Sequence, residues 1–335
     1  MTILAYLVNH TPSFEKGFFD LDIVDSILET IGKTPVIALT RMTPKGSAEL
    51  FGKYEAGNPS FSVKDRIALA MIEKGMAEGK ITKKTVIVDA TAGNTGVALA
   101  MVCAVKKLKL LIFMPEDASL ERRKMLDGFG ADLTVTPKEE GVGGAVARAQ
   151  AYVREHKESF YLSQFDNPEN PEAHRRTTAQ EILDDFPDGI DALIAGVGTG
   201  GTITGAGEVV KKKWPQVKVV AVEPKTSAVL SGRPKGRHKI QQLGHGFIPS
   251  ILNRNLIDRV MTVSDEEAYE TARRISREEG ILVGISSGAN VCAALQLARE
   301  MGEGKKVLTF LCDAGQRYFS IERFFKSDGE KRREA

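Results

Sequence analysis

Between Val86 and His156 the chain alternates short apolar runs with longer stretches of helical periodicity. Val86-Ile87-Val88, residues 110–114 and Leu133-Thr134-Val135 read as strands; residues 95–106, 120–129 and 144–156 read as helices. Runs without polar alternation suit strands buried on both faces, and strands separated by helices return parallel. This confines the chain to α/β folds in which helices cover both faces of a parallel sheet. A second run repeats the logic, with strands at 192–197, 217–222 and 307–312 and a helix at 202–212. Ser264-Asp265-Glu266-Glu267 is a capping box that opens a helix to 279. Ahead of the first run, a short helix at 22–29 and strands at 36–39 and 50–54 are expected, then a helix beginning near Lys64 and ended by Gly79.

The polar, proline-bearing segment Gln164-Phe165-Asp166-Asn167-Pro168-Glu169-Asn170-Pro171 separates the two runs. The simplest architecture has two three-layer αβα domains with a cleft between them. The smaller spans 58–165, the larger 1–57 and 166–325, and 326–335 is a charged tail expected to be disordered. Residues 1–21 form an extra arm, and 232–239 a basic loop expected to be mobile. A chain of 335 residues is long enough for this division. Its net charge of +2 gives no electrostatic case for nucleic acid or an anionic membrane. No stretch is apolar and long enough to be a signal peptide core or a membrane span. Cys103, Cys292 and Cys312 lack disulfide or metal-ligand spacing, which fits a reducing, cytoplasmic setting and no metal.

Four features carry chemistry. In Asn58-Pro59-Ser60-Phe61-Ser62-Val63-Lys64-Asp65-Arg66 a turn leads into a helix, so Lys64 sits near a helix N-terminus. There the helix dipole and burial both lower an ammonium pKa, and a lysine that loses its proton can form a Schiff base. Most of the 46 Lys and Arg must be solvated surface, and by itself Lys64 is no exception. Gly196-Val197-Gly198-Thr199-Gly200-Gly201-Thr202 ends a strand and opens a helix. Its N–H groups suit a single phosphate, or its glycines merely permit a tight turn. Thr91-Ala92-Gly93-Asn94-Thr95-Gly96 offers uncharged donors at a helix start, suited to a carboxylate or simply to capping. Gly284-Ile285-Ser286-Ser287-Gly288-Ala289 looks like a strand-end turn in which serine either caps a helix or aims a hydroxyl at a ring nitrogen.

A lysine, a phosphate cup, a carboxylate cup and a neutral hydroxyl together describe a site for pyridoxal 5'-phosphate. The motifs NPSFSVKDR, TAGNTG, SQFDNP, GVGTGGTITG, HKIQQLGHGFIP and GISSGA carry a resemblance that runs from about Ile23 to about Phe325. The chain resembles the cysteine synthase (O-acetylserine sulfhydrylase) branch of the cysteine synthase/cystathionine β-synthase family, fold-type II pyridoxal-phosphate enzymes. The resemblance implies that Lys64 is the Schiff-base lysine and that Asn94 bonds the cofactor's ring hydroxyl. By the same token Gly198, Thr199, Gly200, Gly201 and Thr202 hold the phosphate and Ser286 faces the pyridine nitrogen. Thr91, Gly93, Asn94, Thr95 and Gln164 would hold the substrate carboxylate.

The implied reaction is β-replacement through an aminoacrylate, forming L-cysteine from O-acetyl-L-serine and sulfide or another thiol. The alternative joins O-acetylserine or serine to homocysteine, as cystathionine β-synthases do. The resemblance also implies a homodimer. An alternative of another class is a binding module for the C-terminal tail of serine acetyltransferase, which an intact Lys64 disfavours. Two departures bear on the acceptor. Ala92 stands where the family usually has serine, and His245 is unusual for the family, either a histidine at the site mouth that would titrate near neutrality or a solvent-facing loop histidine.

Overall fold

The computed structural model describes residues 23–321. The arm at 1–21 and the tail at 326–335 lie outside the described residues. Among these, ten strands form two sheets. The larger sheet contains β1 (Val36–Ala38), β2 (Glu49–Tyr54), β7 (Ala192–Gly196), β8 (Lys218–Pro224), β9 (Arg259–Val263) and β10 (Lys306–Leu311), in the order β1-β2-β10-β7-β8-β9. The smaller contains β3 (Val86–Ala90), β4 (Lys109–Pro115), β5 (Asp132–Thr136) and β6 (Ser159–Tyr161), in the order β5-β4-β3-β6. Every pairing is parallel except β1 with β2. The helices are α1 (Lys64–Ala77), α2 (Asn94–Lys106), α3 (Leu120–Gly128), α4 (Gly141–Glu155), α5 (Glu169–Arg176), α6 (Thr178–Asp185), α7 (Gly201–Lys213), α8 (Asp265–Arg274) and α9 (Ile285–Met301).

The period-two geometry of strands divides each core into two layers. On β7, Ala192 and Ile194 face the core under α8 and α9, while Leu193 and Ala195 face that under α6 and α7. On β3, Ile87 packs with α1, α2 and α3, and Val88 and Ala90 with α4. Both sheets are thus the middle layer of an αβα sandwich. The carboxyl ends of β3 and β7 lead into the segments that bear residues marked in the sequence, where parallel α/β sheets place ligands.

A buried ionic clasp ties the start of α1 to the larger sheet. The Arg66 guanidinium donates to both Glu55 oxygens at 2.7 and 2.8 Å and to both Glu181 oxygens at 2.6 and 2.8 Å. Glu181 also lies 3.1 Å from the Lys53 ammonium and accepts the N–H of Lys33 at 2.9 Å. Lys53 and Arg66 are buried. Such a pair adds little net stability, but losing one partner strands the other in a poorly solvated place.

Several elements depart from expectation. The helix at 22–29 is a single 3-10 turn at Ile27–Thr30. The helix opened by the Ser264 capping box, whose two reciprocal hydrogen bonds are both formed, runs as α8 and then widens into a π turn at Ile275–Glu279. No strand precedes Gly284; Val283 makes only an isolated bridge to Ala314. The separating segment is not all loop, since α5 begins at Glu169 and tolerates Pro171 in its first turn, where no intrahelical N–H is needed. Among the described residues no helix is long and apolar enough to cross a membrane.

Candidate functional site

Lys64 is the first residue of α1. The turn before it is fastened to the end of β10: the Val63 N–H donates to the Cys312 carbonyl at 2.9 Å, and Ser62 bridges Asp313. The Asp65 carboxylate folds the turn back by accepting the Ser60 N–H at 2.5 Å and the Ser60 hydroxyl. Burial raises the Asp65 pKa to about 6, against the pull of these bonds. Burial likewise lowers the Lys64 ammonium, opposed by the nearby acidic groups Cys312, Asp313 and Glu55. A lysine shifted this way holds more of the neutral amine near pH 7 than a surface lysine does.

The glycine loop between β7 and α7 faces the same region. Gly200 has φ +82°, a left-handed conformation that turns the strand directly into the helix. A Cβ on Gly201 would overlap the Asn170 amide. Asn170 is buried and donates to the Thr199 hydroxyl at 3.1 Å and to the Gln164 carbonyl at 2.8 Å, joining the loop to the separating segment. The Thr202 hydroxyl meets His174 Nε2 at 3.2 Å. The glycines therefore serve packing, and the loop also presents the N–H end of a 13-residue helix, whose first N–H, that of Gly201, reaches the Thr199 hydroxyl at 3.4 Å.

Opposite lies Thr91–Thr95, where the Thr91 hydroxyl accepts the Gly93 N–H at 3.0 Å. Thr95 donates to Gln164 Oε1 at 2.6 Å, and Gln164 donates to the Ala90 carbonyl at 3.1 Å. The Asn94 amide is engaged on both sides, giving an N–H to Asp313 at 2.7 Å and accepting from Arg317 at 3.0 Å. At the start of α9, Ser287 is committed to the Cys312 N–H at 2.8 Å. Ser286 is 1% exposed, and beyond an approach to the Cys312 thiol its hydroxyl makes no hydrogen bond. Burial pushes that thiol up to about 12, so it carries no thiolate chemistry.

Lys64, Thr91, Gln164, Phe165, Thr199 and Gln242 line one narrow pocket. It shares Ala92, Val142, Gln242 and His245 with an outer cavity of about 780 Å³. His245 packs edge-on against Phe165 at 5.1 Å. Burial, with His238 and Lys64 nearby, lowers its pKa to about 4, which corrects the expectation of titration near neutrality. Among the described residues no cluster could hold a metal ion.

The donor set fits a phosphorylated aldehyde with a ring nitrogen: a buried amine, a helix N-terminus behind glycine, and a buried hydroxyl lacking a strong partner. The family of pyridoxal-phosphate dependent enzymes matches residues 27–313. The chain belongs to this family.

A cysteine synthase of Staphylococcus aureus (strain Mu50 / ATCC 700699) is 50% identical over 298 residues, covering 89% of this chain and 96% of that protein. Among solved structures, a cysteine synthase from Entamoeba histolytica is 35% identical with a TM-score of 0.87, covering 95% of each chain. An O-acetylserine dependent cystathionine beta-synthase from Helicobacter pylori is 37% identical with a TM-score of 0.84, covering 89% of this chain and 98% of that one. The family's fold-type II architecture is the one described above. Within that frame, Asn170, Asp313 and Arg317 escaped the sequence reading. The one available signal was an acid placed directly after the last buried strand, at the carboxyl end of a parallel sheet.

Proposed function

We propose that the chain catalyses β-replacement, forming L-cysteine from O-acetyl-L-serine and sulfide. The observation that carries this reading is Lys64, an amine of lowered pKa between two loops of uncharged donors. Its aldehyde-capturing amine and the N–H groups of Gly198, Thr199, Gly200, Gly201 and Thr202 would hold pyridoxal phosphate, with Asn94 toward its ring hydroxyl and Ser286 toward its ring nitrogen. Bound there, the cofactor would supply a carbonyl for the substrate amine and a conjugated ring to accept charge from Cα. Thr91, Gly93, Asn94, Thr95 and Gln164 receive the substrate carboxylate. Lys64 takes the Cα proton, acting from the neutral form that burial favours, and returns it when the product forms. Phe165 and Val142 wall the pocket and keep water from the reacting atoms.

In this reading residues 58–165 form the smaller domain and 1–57 with 166–325 the larger, and the protein works as a cytoplasmic homodimer. The test reduces the cofactor-loaded protein with borohydride and maps the modified peptide. A pyridoxyl adduct on Lys64 is expected, and Lys64→Ala should lower turnover by a factor on the order of 10³. An adduct on a different lysine overturns the assignment.

A second reading has a specific observation behind it. The outer cavity is far larger than sulfide needs, and it opens from the pocket past Ala92. It would admit homocysteine, giving cystathionine, or the C-terminal tail of serine acetyltransferase. Offering sulfide and homocysteine at equal concentration with O-acetylserine, and weighing the products by mass, separates the two chemistries. A tail peptide that competes with O-acetylserine supports the partner.

A further inference from the structure

Asp313 is fully buried where the loop after β10 meets Lys64, Asn94 and the start of α9. Its backbone carbonyl accepts the Gly284 N–H at 3.0 Å, and a side chain on Gly284 would overlap its carboxylate. One carboxylate oxygen, Oδ2, accepts from Asn94 at 2.7 Å and from the Tyr318 hydroxyl at 2.6 Å, with an Arg122 nitrogen at 3.9 Å. The other, Oδ1, has no hydrogen-bond partner. On the far side of the Asn94 amide stands Arg317, also buried, with Nη1 at 3.0 Å from the amide oxygen.

A primary amide has a donor end and an acceptor end, and side chains that offer both roles cannot distinguish them. Here the two neighbours are one-sided. A carboxylate only accepts and a guanidinium only donates. The amide can therefore sit in one orientation alone, its nitrogen toward Asp313 and its oxygen toward Arg317. One amide N–H remains beyond the bond to Asp313. Were the amide reversed, two donors would face each other beside Arg317 and two acceptors beside Asp313, all buried and unpaired.

We propose that Asp313, paired across Asn94 with Arg317, is a positioning residue for cofactor recognition, fixing the amide so that an N–H and not a carbonyl faces the cofactor's ring oxygen. This rests on the assignment of Asn94 to that oxygen made under the proposed function. An anionic ring oxygen is attracted by an N–H and repelled by a carbonyl, so a fixed amide improves affinity where a free one averages the two.

The experiment titrates pyridoxal 5'-phosphate into the full-length protein stripped of cofactor and records the dissociation constant and the absorption maximum of the bound form. Asp313→Asn keeps the volume but can present either end of its own amide. It should weaken binding about 10-fold, equivalent to about 1.4 kcal/mol, and shift the absorption maximum. Asn94→Ala should weaken binding to a similar degree, and the double variant no further, because both changes remove the same hydrogen bond. Should Asp313→Asn fail to fold, as judged by thermal denaturation, Arg317→Gln replaces it with the same expected coupling to Asn94→Ala. Wild-type affinity in Asp313→Asn together with weakened binding in Asn94→Ala overturns the positioning role and leaves the assignment of Asn94 standing. A double variant about 100-fold weaker, the product of independent effects, overturns it as well. Wild-type affinity in Asn94→Ala overturns the assignment itself and this proposal with it.

Discussion

Glu181→Gln tests whether the ionic clasp holds the start of α1. Glu181 accepts two Arg66 bonds and lies 3.1 Å from Lys53, and both cations are buried. Burial alone would raise its pKa, but the Arg66 bonds and charge, Lys53 and the Lys33 N–H outweigh that and leave it at about 2, against an ordinary 4.5. A folded-state pKa below the unfolded one gives stability that is present above the unfolded value and lost as pH falls through the folded one. Discounted for the partial exposure of Glu181, the shift corresponds to about 2 kcal/mol at pH 7 and less than about 1 kcal/mol at pH 3. The ~3–5 kcal/mol lost on removing one member of a fully buried ion pair is an upper bound here, because Glu181 is partly exposed and Arg66 keeps Glu55. Urea denaturation of Glu181→Gln and the parent protein from pH 7 to pH 3 measures the difference directly. The gap should be about 2 kcal/mol at pH 7 and shrink steadily below pH 4.5. A gap under about 1 kcal/mol at pH 7, or one independent of pH, would refute the electrostatic argument.

Asp89 is fully buried, with one oxygen on the Ala90 N–H and the other unpartnered, and burial raises its pKa to about 7. Here the sign reverses: its contribution is present below the ordinary carboxylate pKa and lost as pH rises to about 7, so Asp89→Asn should gain stability over the parent between pH 4 and pH 8 in thermal denaturation. His245 is neutral at working pH, so His245→Gln should leave the shape of the kcat/KM profile between pH 6 and pH 8 unchanged; a lost inflection in that range would contradict its lowered pKa. Gly201→Ala forces a Cβ against Asn170 and should weaken pyridoxal phosphate binding by about 10-fold or more, measured by equilibrium dialysis, with turnover falling in step.

The central strands and their helices were legible because burial on both faces leaves continuous apolar runs, as in Ile87-Val88 or Leu193-Ile194. Two of the edge strands, β6 and β9, were not. Ser159-Phe160-Tyr161 is three residues long, and of Arg259-Val260-Met261-Thr262-Val263 only Met261 and Val263 are buried. The N-terminal arm and the tail fell outside the described residues. Lys64 and the glycine loop announce themselves through local rules, a helix start and a strand–helix turn. Asp313, Arg317 and Asn170 do not. Asn94 and Arg317 are separated by 223 positions, and only folding makes their contact visible.

The pairing of β2 with β10 sets an order of events during synthesis. Leu50 of β2 lies beside Val307 of β10, so an edge opened near the N-terminus waits for nearly the whole chain before it is covered. The turn that carries Lys64 is fastened to Cys312 and Asp313, the residues that follow this last strand. Contacts so distant along the chain form late and slowly. A chain that has not yet released residue 313 has the lysine but not the backbone contacts that hold its turn.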